Sequence, residues 1–164
     1  MTTNKTITRG EVEAVFQAFG SGGWAVLRHS EMARGAPADH LGSHGAIRPF
    51  PAWDGIHVRS EDWHVILVAD IEGGDASFTV RDAEEIMSKI TVHFELDGVP
   101  LETTRTAIKR FLNPERFGVT EAYYFQEGRI MSPEELAVGP HTLSLTMSYG
   151  TGETYVDTIG FVVD

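Results

Sequence analysis

Hydrophobic and polar positions alternate most cleanly in the stretch ITVHFELDG (90–98), where Ile90, Val92, Phe94 and Leu96 interleave with Thr91, His93, Glu95 and Asp97. A period of two predicts a half-buried strand, and Asp97-Gly98 supplies a favoured hairpin turn into VPLETT. A second pair of alternating runs, HTLSLTMSY (141–149) and ETYVDTIGFVVD (153–164), flanks Gly150-Thr151-Gly152. A three-residue loop there places Tyr149 opposite Glu153, Met147 opposite Tyr155, Leu145 opposite Asp157, Leu143 opposite Ile159 and His141 opposite Phe161. The other face of that hairpin is Thr142, Ser144, Thr146, Ser148, Thr154, Val156 and Thr158, a composition suited to water. IHVRS and WHVILVAD (56–60 and 63–70) are also strand-like. If Glu61-Asp62 turns between them, Ile56, Val58, Trp63, Val65 and Leu67 share a core row, and His57, Arg59, His64 and Asp70 share the other.

Helical patterning is confined to short pieces. Thr8-Arg9-Gly10-Glu11 is a capping box, followed at helical spacing by Val12, Val15, Phe16 and Phe19 and stopped by Gly20, which predicts a helix over 9–19. AIKRFLN (107–113) reads as a helical turn ended by Asn113-Pro114, and Ser132-Pro133-Glu134-Glu135 starts a helix of one or two turns. Between Ser21 and Asp54 periodicity fails, leaving a long loop rich in glycine, proline and alanine. The sum is a mainly β chain: an antiparallel β-sandwich with a short N-terminal helix and a long loop, a small barrel being the second choice. At 164 residues a single domain is expected, with residues 1–55 packing on a sandwich formed by 56–164.

The segments ending Leu96-Asp97-Gly98, then Gly139-Pro140-His141-Thr142-Leu143, then the closing TIGFVVD, resemble the later strands of bacterial immunoglobulin-like β-sandwich domains. The likeness covers roughly residues 90–164 and implies architecture, not activity. About 40 residues separate the Asp-Gly turn from Gly139, and the first 60 residues have no counterpart.

Composition narrows the function classes. The net charge is −11, which opposes nucleic acid and anionic membranes as partners. The cations Arg105, Lys109, Arg110 and Arg116 come nearest to a basic patch, and in so acidic a chain they are expected to balance neighbouring carboxylates. Cysteine is absent, removing thiolate chemistry and disulfides. No apolar run reaches signal-peptide or membrane-span length, so a soluble, cytoplasmic protein is expected.

Two stretches carry candidate chemistry. Asp157 falls on the core-facing row of the last hairpin beside Glu153 and Tyr155, and a carboxylate so placed needs a partner or gains a raised pKa. With His64 these three form a candidate acid–base set; the alternative is a local bend, or a structural partner for Asp157. The segment Asp39–His64 holds four of the seven histidines. His40, His44 and His57, with a carboxylate, would make a loop-built site for a divalent metal; the alternative is hydrogen-bonded loop histidines and no cofactor. Of the indoles Trp53 has the strongest claim to exposure and joins His57 and Arg59 as candidate ligand-binding residues, although core filling is the stronger expectation for it.

Two readings follow. One is a module that binds a small organic molecule or a protein subunit, serving as an accessory subunit of a larger enzyme, with homo-oligomers open to it through sheet edges. The other is a small cofactor-light lyase, isomerase or hydrolase using a buried carboxylate and loop histidines, with or without metal assistance. The enzyme reading requires the histidines and the 153–157 row to converge on one cavity; the module reading requires them to lie apart.

Overall fold

The computed structural model describes residues 6–17 and 45–164. Helix α1 spans Arg9–Gln17; after it come β1 (Ala46–Ile47), β2 (Ile56–Val58), β3 (His64–Gly74) and helix α2 (Val80–Met87). The remaining strands are β4 (Thr91–Leu96), β5 (Val99–Leu101), β6 (Thr104–Arg105), β7 (Lys109–Arg110), β8 (Glu121–Met131), β9 (Gly139–Ser148) and β10 (Thr154–Val163). Among the described residues they form two five-stranded sheets, neither of them closed into a barrel: β1-β3-β8-β6 with β7 also on β8, and β2-β10-β9-β4-β5. The fold is a mainly β sandwich. Its long ladders are antiparallel, while β1 on β3 and β2 on β10 are short parallel edge pairings. Among the described residues no helix is long and apolar enough to cross a membrane.

The core lies between the sheets. Ile66, Val68 and Phe125 from the first sheet meet Phe94, Leu143, Leu145, Met147, Ile159 and Phe161 from the second. The last hairpin adopts the expected register, with Leu145 on Asp157, Leu143 on Ile159 and His141 on Phe161. The Asp97-Gly98 turn has both residues at positive φ (53° and 78°), the backbone that this dipeptide tolerates best.

The expected hairpin through Glu61-Asp62 is not formed. Ile56–Val58 belongs to the second sheet and His64–Gly74 to the first, so residues 59–63 cross from one sheet to the other. The reason lies in β3, which is buried on both faces. Ile66 and Val68 point into the sandwich, and Val65 and Leu67 pack outward under Val12 and Phe16 of α1. A doubly covered strand reads as a continuous apolar run, so alternation cannot assign its faces. The 107–113 stretch is also extended, not helical: Lys109 and Arg110 pair with Tyr124 and Tyr123 at the sheet edge. A three-residue 3-10 turn over Pro133–Glu135 follows Ser132, with the expected capping box in place.

Helices α1 and α2 are too short to stand alone in water and are held at their C-termini by side chains from the first sheet. For α1, Gln126 Nε2 donates to the Phe16 and Val15 carbonyls, and Lys109 Nζ donates to the Gln17 carbonyl at 3.3 Å. For α2, Arg105 donates to the carbonyls of Met87 (3.1 Å) and Ile90 (2.8 Å).

Candidate functional site

The sequence-derived candidates fall in separate places. His57 is exposed on the outer face of β2, its Nδ1 2.8 Å from Asp164 Oδ2. It stands opposite Val162, five residues from Asp157 along β10, or about 16 Å at strand spacing. Arg59 pairs with Glu61 through its guanidinium. His64 lies on the other sheet, 1% exposed, with Nε2 donating to the Arg59 carbonyl at 3.1 Å. Burial pushes its pKa down, so it is a neutral core histidine. His40 and His44 lie outside the described residues. Among the described residues no group of three or more histidines and carboxylates is arranged to hold a metal ion.

Trp53 fills the core, the stronger expectation for it, and Trp63, expected in a core row, is the more open of the two. Trp53 is fully buried in the main core, at the end of a 3-10 turn begun by Pro51, with the Arg48 guanidinium 5.5 Å from its ring centroid. Its ring is not available for stacking on a ligand. Trp63 is only partly buried, packed on the outer cluster beneath α1.

Asp157 does face inward, at the open margin of β10. Its Oδ2 accepts from the Tyr155 hydroxyl (3.0 Å) and its Oδ1 from the Thr158 amide (2.8 Å). Thr158 N–H points away from β9, like Gly160, whose carbonyl reaches Gly55 and whose amide reaches Asp54. The carboxylate therefore occupies a donor on a strand edge, a recognised way of blunting edge-to-edge pairing. Tyr155 is pushed up in pKa by burial and by its bond to Asp157, whereas Glu153 is exposed.

The group driven furthest from ordinary behaviour is Asp70, on the sandwich-facing side of β3. Desolvation is the main cause, reinforced by the charge of Glu72 two residues on, and its pKa rises to about 7. Its Oδ2 is buried and has no hydrogen-bond partner among the described residues. Tyr149, across the sandwich, is pushed up by burial and by Asp70 and Glu72. The nearby cation, Arg105, is committed to Glu127 at 2.7 Å and lies 4.1 Å from the Phe125 ring centroid.

A concave surface lies elsewhere, on the outer face of the first sheet beside α1. An open groove of about 760 Å³ is lined by Phe16, Trp63, Gly128 and Ile130 on its apolar side. Arg9, Thr104, Arg129, Ser132 and Glu135 contribute polar groups to its lining. Arg9 lies over the Trp63 indole, 5.6 Å from its centroid, while Arg129 Nη2 bonds Glu135 at 2.7 Å. The position of Trp63 follows from the crossover at 59–63: Asp62 is buried and accepts from Ile7 N–H at 2.8 Å, which ties the entry to α1 beside the indole. Nothing in the local sequence marks Arg129 or Gly128 as groove residues. The two capping boxes that fix the groove's walls, Thr8–Glu11 and Ser132–Glu135, are legible.

Compared with protein-family models and with curated proteins, the sequence gives no match.

Proposed function

We propose that the chain is a binding module that holds a small, flat organic molecule in the groove beside α1, acting as an accessory subunit of a larger enzyme. The observation that carries this reading is the pairing of one half-buried indole with a concave surface of about 760 Å³. That size falls in the range of small-molecule sites. An indole already stacked under a guanidinium offers a face on which a planar ligand exchanges for Arg9. The candidate histidines and the 153–157 row support the same reading by lying apart: His57 on one sheet, His64 in the other, and Asp157, the near end of the row, about 16 Å from His57. On this reading the module works without a cofactor, and its acidity keeps it off nucleic acid and anionic membranes. Ligand-observed NMR with a panel of planar aromatic and sugar fragments tests it. Binding that is lost in Trp63→Ala is the expected outcome; binding that is indifferent to that substitution removes the groove from the proposal.

A second reading has one specific observation in its favour, the rise of Asp70 to about 7 next to Glu72. A carboxyl that titrates near neutrality is suited to general acid–base catalysis in a small cofactor-light lyase, isomerase or hydrolase. The buried carboxylate of that reading is then Asp70, not Asp157. Carbon-detected titration of the Asp70 carboxyl decides whether it survives: a midpoint near 7 keeps it, and an ordinary aspartate midpoint ends it.

A further inference from the structure

The segment that contributes Ser132 and Glu135 to the groove continues to Ala137, where a histidine holds it. His141, the third residue of β9, offers one ring nitrogen to each of two oxygens: Nδ1 is 2.6 Å from Asp97 Oδ2, and Nε2 is 2.6 Å from the Ala137 carbonyl. A carbonyl oxygen and an ionised carboxylate both accept only, so a ring that satisfies the two of them carries two protons. The side chain is 10% exposed and stacks on Phe161, with centroids 5.3 Å apart and planes 22° from parallel. Asp97 is itself fixed, because its Oδ1 accepts the Thr142 amide at 2.8 Å from a turn residue at φ 53°.

We propose that His141 is a proton-operated latch: charged, it clamps the segment that gives Ser132 and Glu135 to the groove to the end of the second sheet, and neutral, it releases that segment at Ala137. The latch rests on the groove reading above and makes retention of the groove's occupant fall as pH rises. A neutral imidazole has one N–H to give. The carboxylate is the stronger acceptor and keeps it, so the other nitrogen turns a lone pair towards the Ala137 carbonyl and that contact is lost. The groups facing the ring from the surrounding elements are Asp97 after β4, the Ala137 carbonyl of the segment and the uncharged Phe161 of β10. Burial, the largest single influence, pushes the pKa down. The bonds to Ala137 and Asp97, with the charge of Asp97, outweigh it and leave the ring above the ordinary histidine value. The clamp is therefore fully present below about 6.5, where the ring is charged even in an unfolded chain. It is lost as pH rises through the higher folded value.

The test uses the full chain without ligand, so its result is independent of whether the groove binds anything; the Trp63 experiment reads that separately. His141 ring protons and the amides of 134–138 are followed by NMR from pH 5 to 9, with hydrogen-exchange protection measured in parallel. The expected result is a His141 midpoint above about 6.5. The 134–138 amides share that midpoint, and their protection falls about fivefold across it, as for the loss of one hydrogen bond. Asp97→Asn moves both midpoints down together, and His141→Gln abolishes the step. A His141 midpoint at or below the ordinary value overturns the latch. So do 134–138 amides that stay indifferent while His141 titrates, an outcome read on the unsubstituted chain even if a variant fails to fold.

Discussion

Arg105→Met probes the way the sandwich holds its second helix. In the native chain the Arg105 guanidinium meets four things at once: Glu127 at 2.7 Å, the carbonyls of Met87 and Ile90, and the Phe125 ring at 4.1 Å. Its side chain is 30% exposed and that of Glu127 is 11% exposed, so the pair is largely but not fully desolvated. Removing one partner of a fully buried pair costs about 3–5 kcal/mol. The exposure of Arg105 scales this down, and Glu127 keeps its bond from Thr103 Oγ1 at 3.0 Å. A loss of about 2–3 kcal/mol is therefore expected. Urea unfolding of wild type, Arg105→Met, Glu127→Gln and the double variant gives both the loss and the coupling, which should reach about 1–2 kcal/mol. Hydrogen exchange adds a local readout, because amides at the end of α2 should lose protection before those of β9. A loss below about 0.5 kcal/mol, or strict additivity with Glu127→Gln, would refute the claim that this pair anchors the helix.

Asp70→Asn should stabilise the fold above pH 7 and have little effect near pH 4. The native carboxyl, raised to about 7 from an ordinary 3.8, holds its proton while the unfolded chain gives one up, so stability falls between those values as pH rises. The full shift corresponds to about 4 kcal/mol, and partial solvent exposure reduces the expected gain to on the order of 2 kcal/mol, measured by urea unfolding at pH 4 and pH 8. A variant equally stabilised at both pH values would contradict the assignment. Gly128→Ala should cost about 2–3 kcal/mol or prevent folding, because its methyl would fall on the Ile66 carbonyl oxygen of the neighbouring strand; a neutral midpoint in urea would show that the strands can separate there. Asp157→Val should free the Thr158 amide and expose an apolar edge beside Val156, which is 64% exposed. Light scattering coupled to size exclusion should then report concentration-dependent dimers, and a variant as monodisperse as wild type would remove the edge-guard role.

The parts of this fold that are legible in the sequence are those with one wet face. Thr91, His93 and Glu95 alternate with buried or half-buried apolar residues, and the serines and threonines of β9 and β10 mark the solvent side of the last hairpin. The register then follows from loop length alone. Where both faces are covered the signal disappears. In β8 the middle of a central strand reads Gln126-Glu127-Gly128, because Gln126 is spent on the α1 C-terminus, Glu127 on Arg105, and Gly128 on a close strand approach. Helix α2 buries only Ala83 and Met87 while leaving Val80 and Ile86 exposed, so its apolar residues do not mark its inner face. Its capping box uses Asp82 in place of the usual glutamate. The candidate site was least legible of all. Trp63 looks like a core residue when 56–70 is folded as a hairpin, and only the crossover at 59–63 brings it out beside α1. The Leu96-Asp97-Gly98 and Gly139–Leu143 phrases do converge in space, through the bond between His141 and Asp97.

The most direct test of the central claim is a chemical-shift map of the isotope-labelled chain with a planar fragment that binds it. The groove account predicts perturbations centred on the Trp63 indole N–H and the amides of Gly128, Ile130 and Ser132, with β3 beyond Asp70 unmoved. Perturbations centred instead on Asp70, Glu72 and Tyr149 would contradict it and move the function to the carboxylate pair between the sheets.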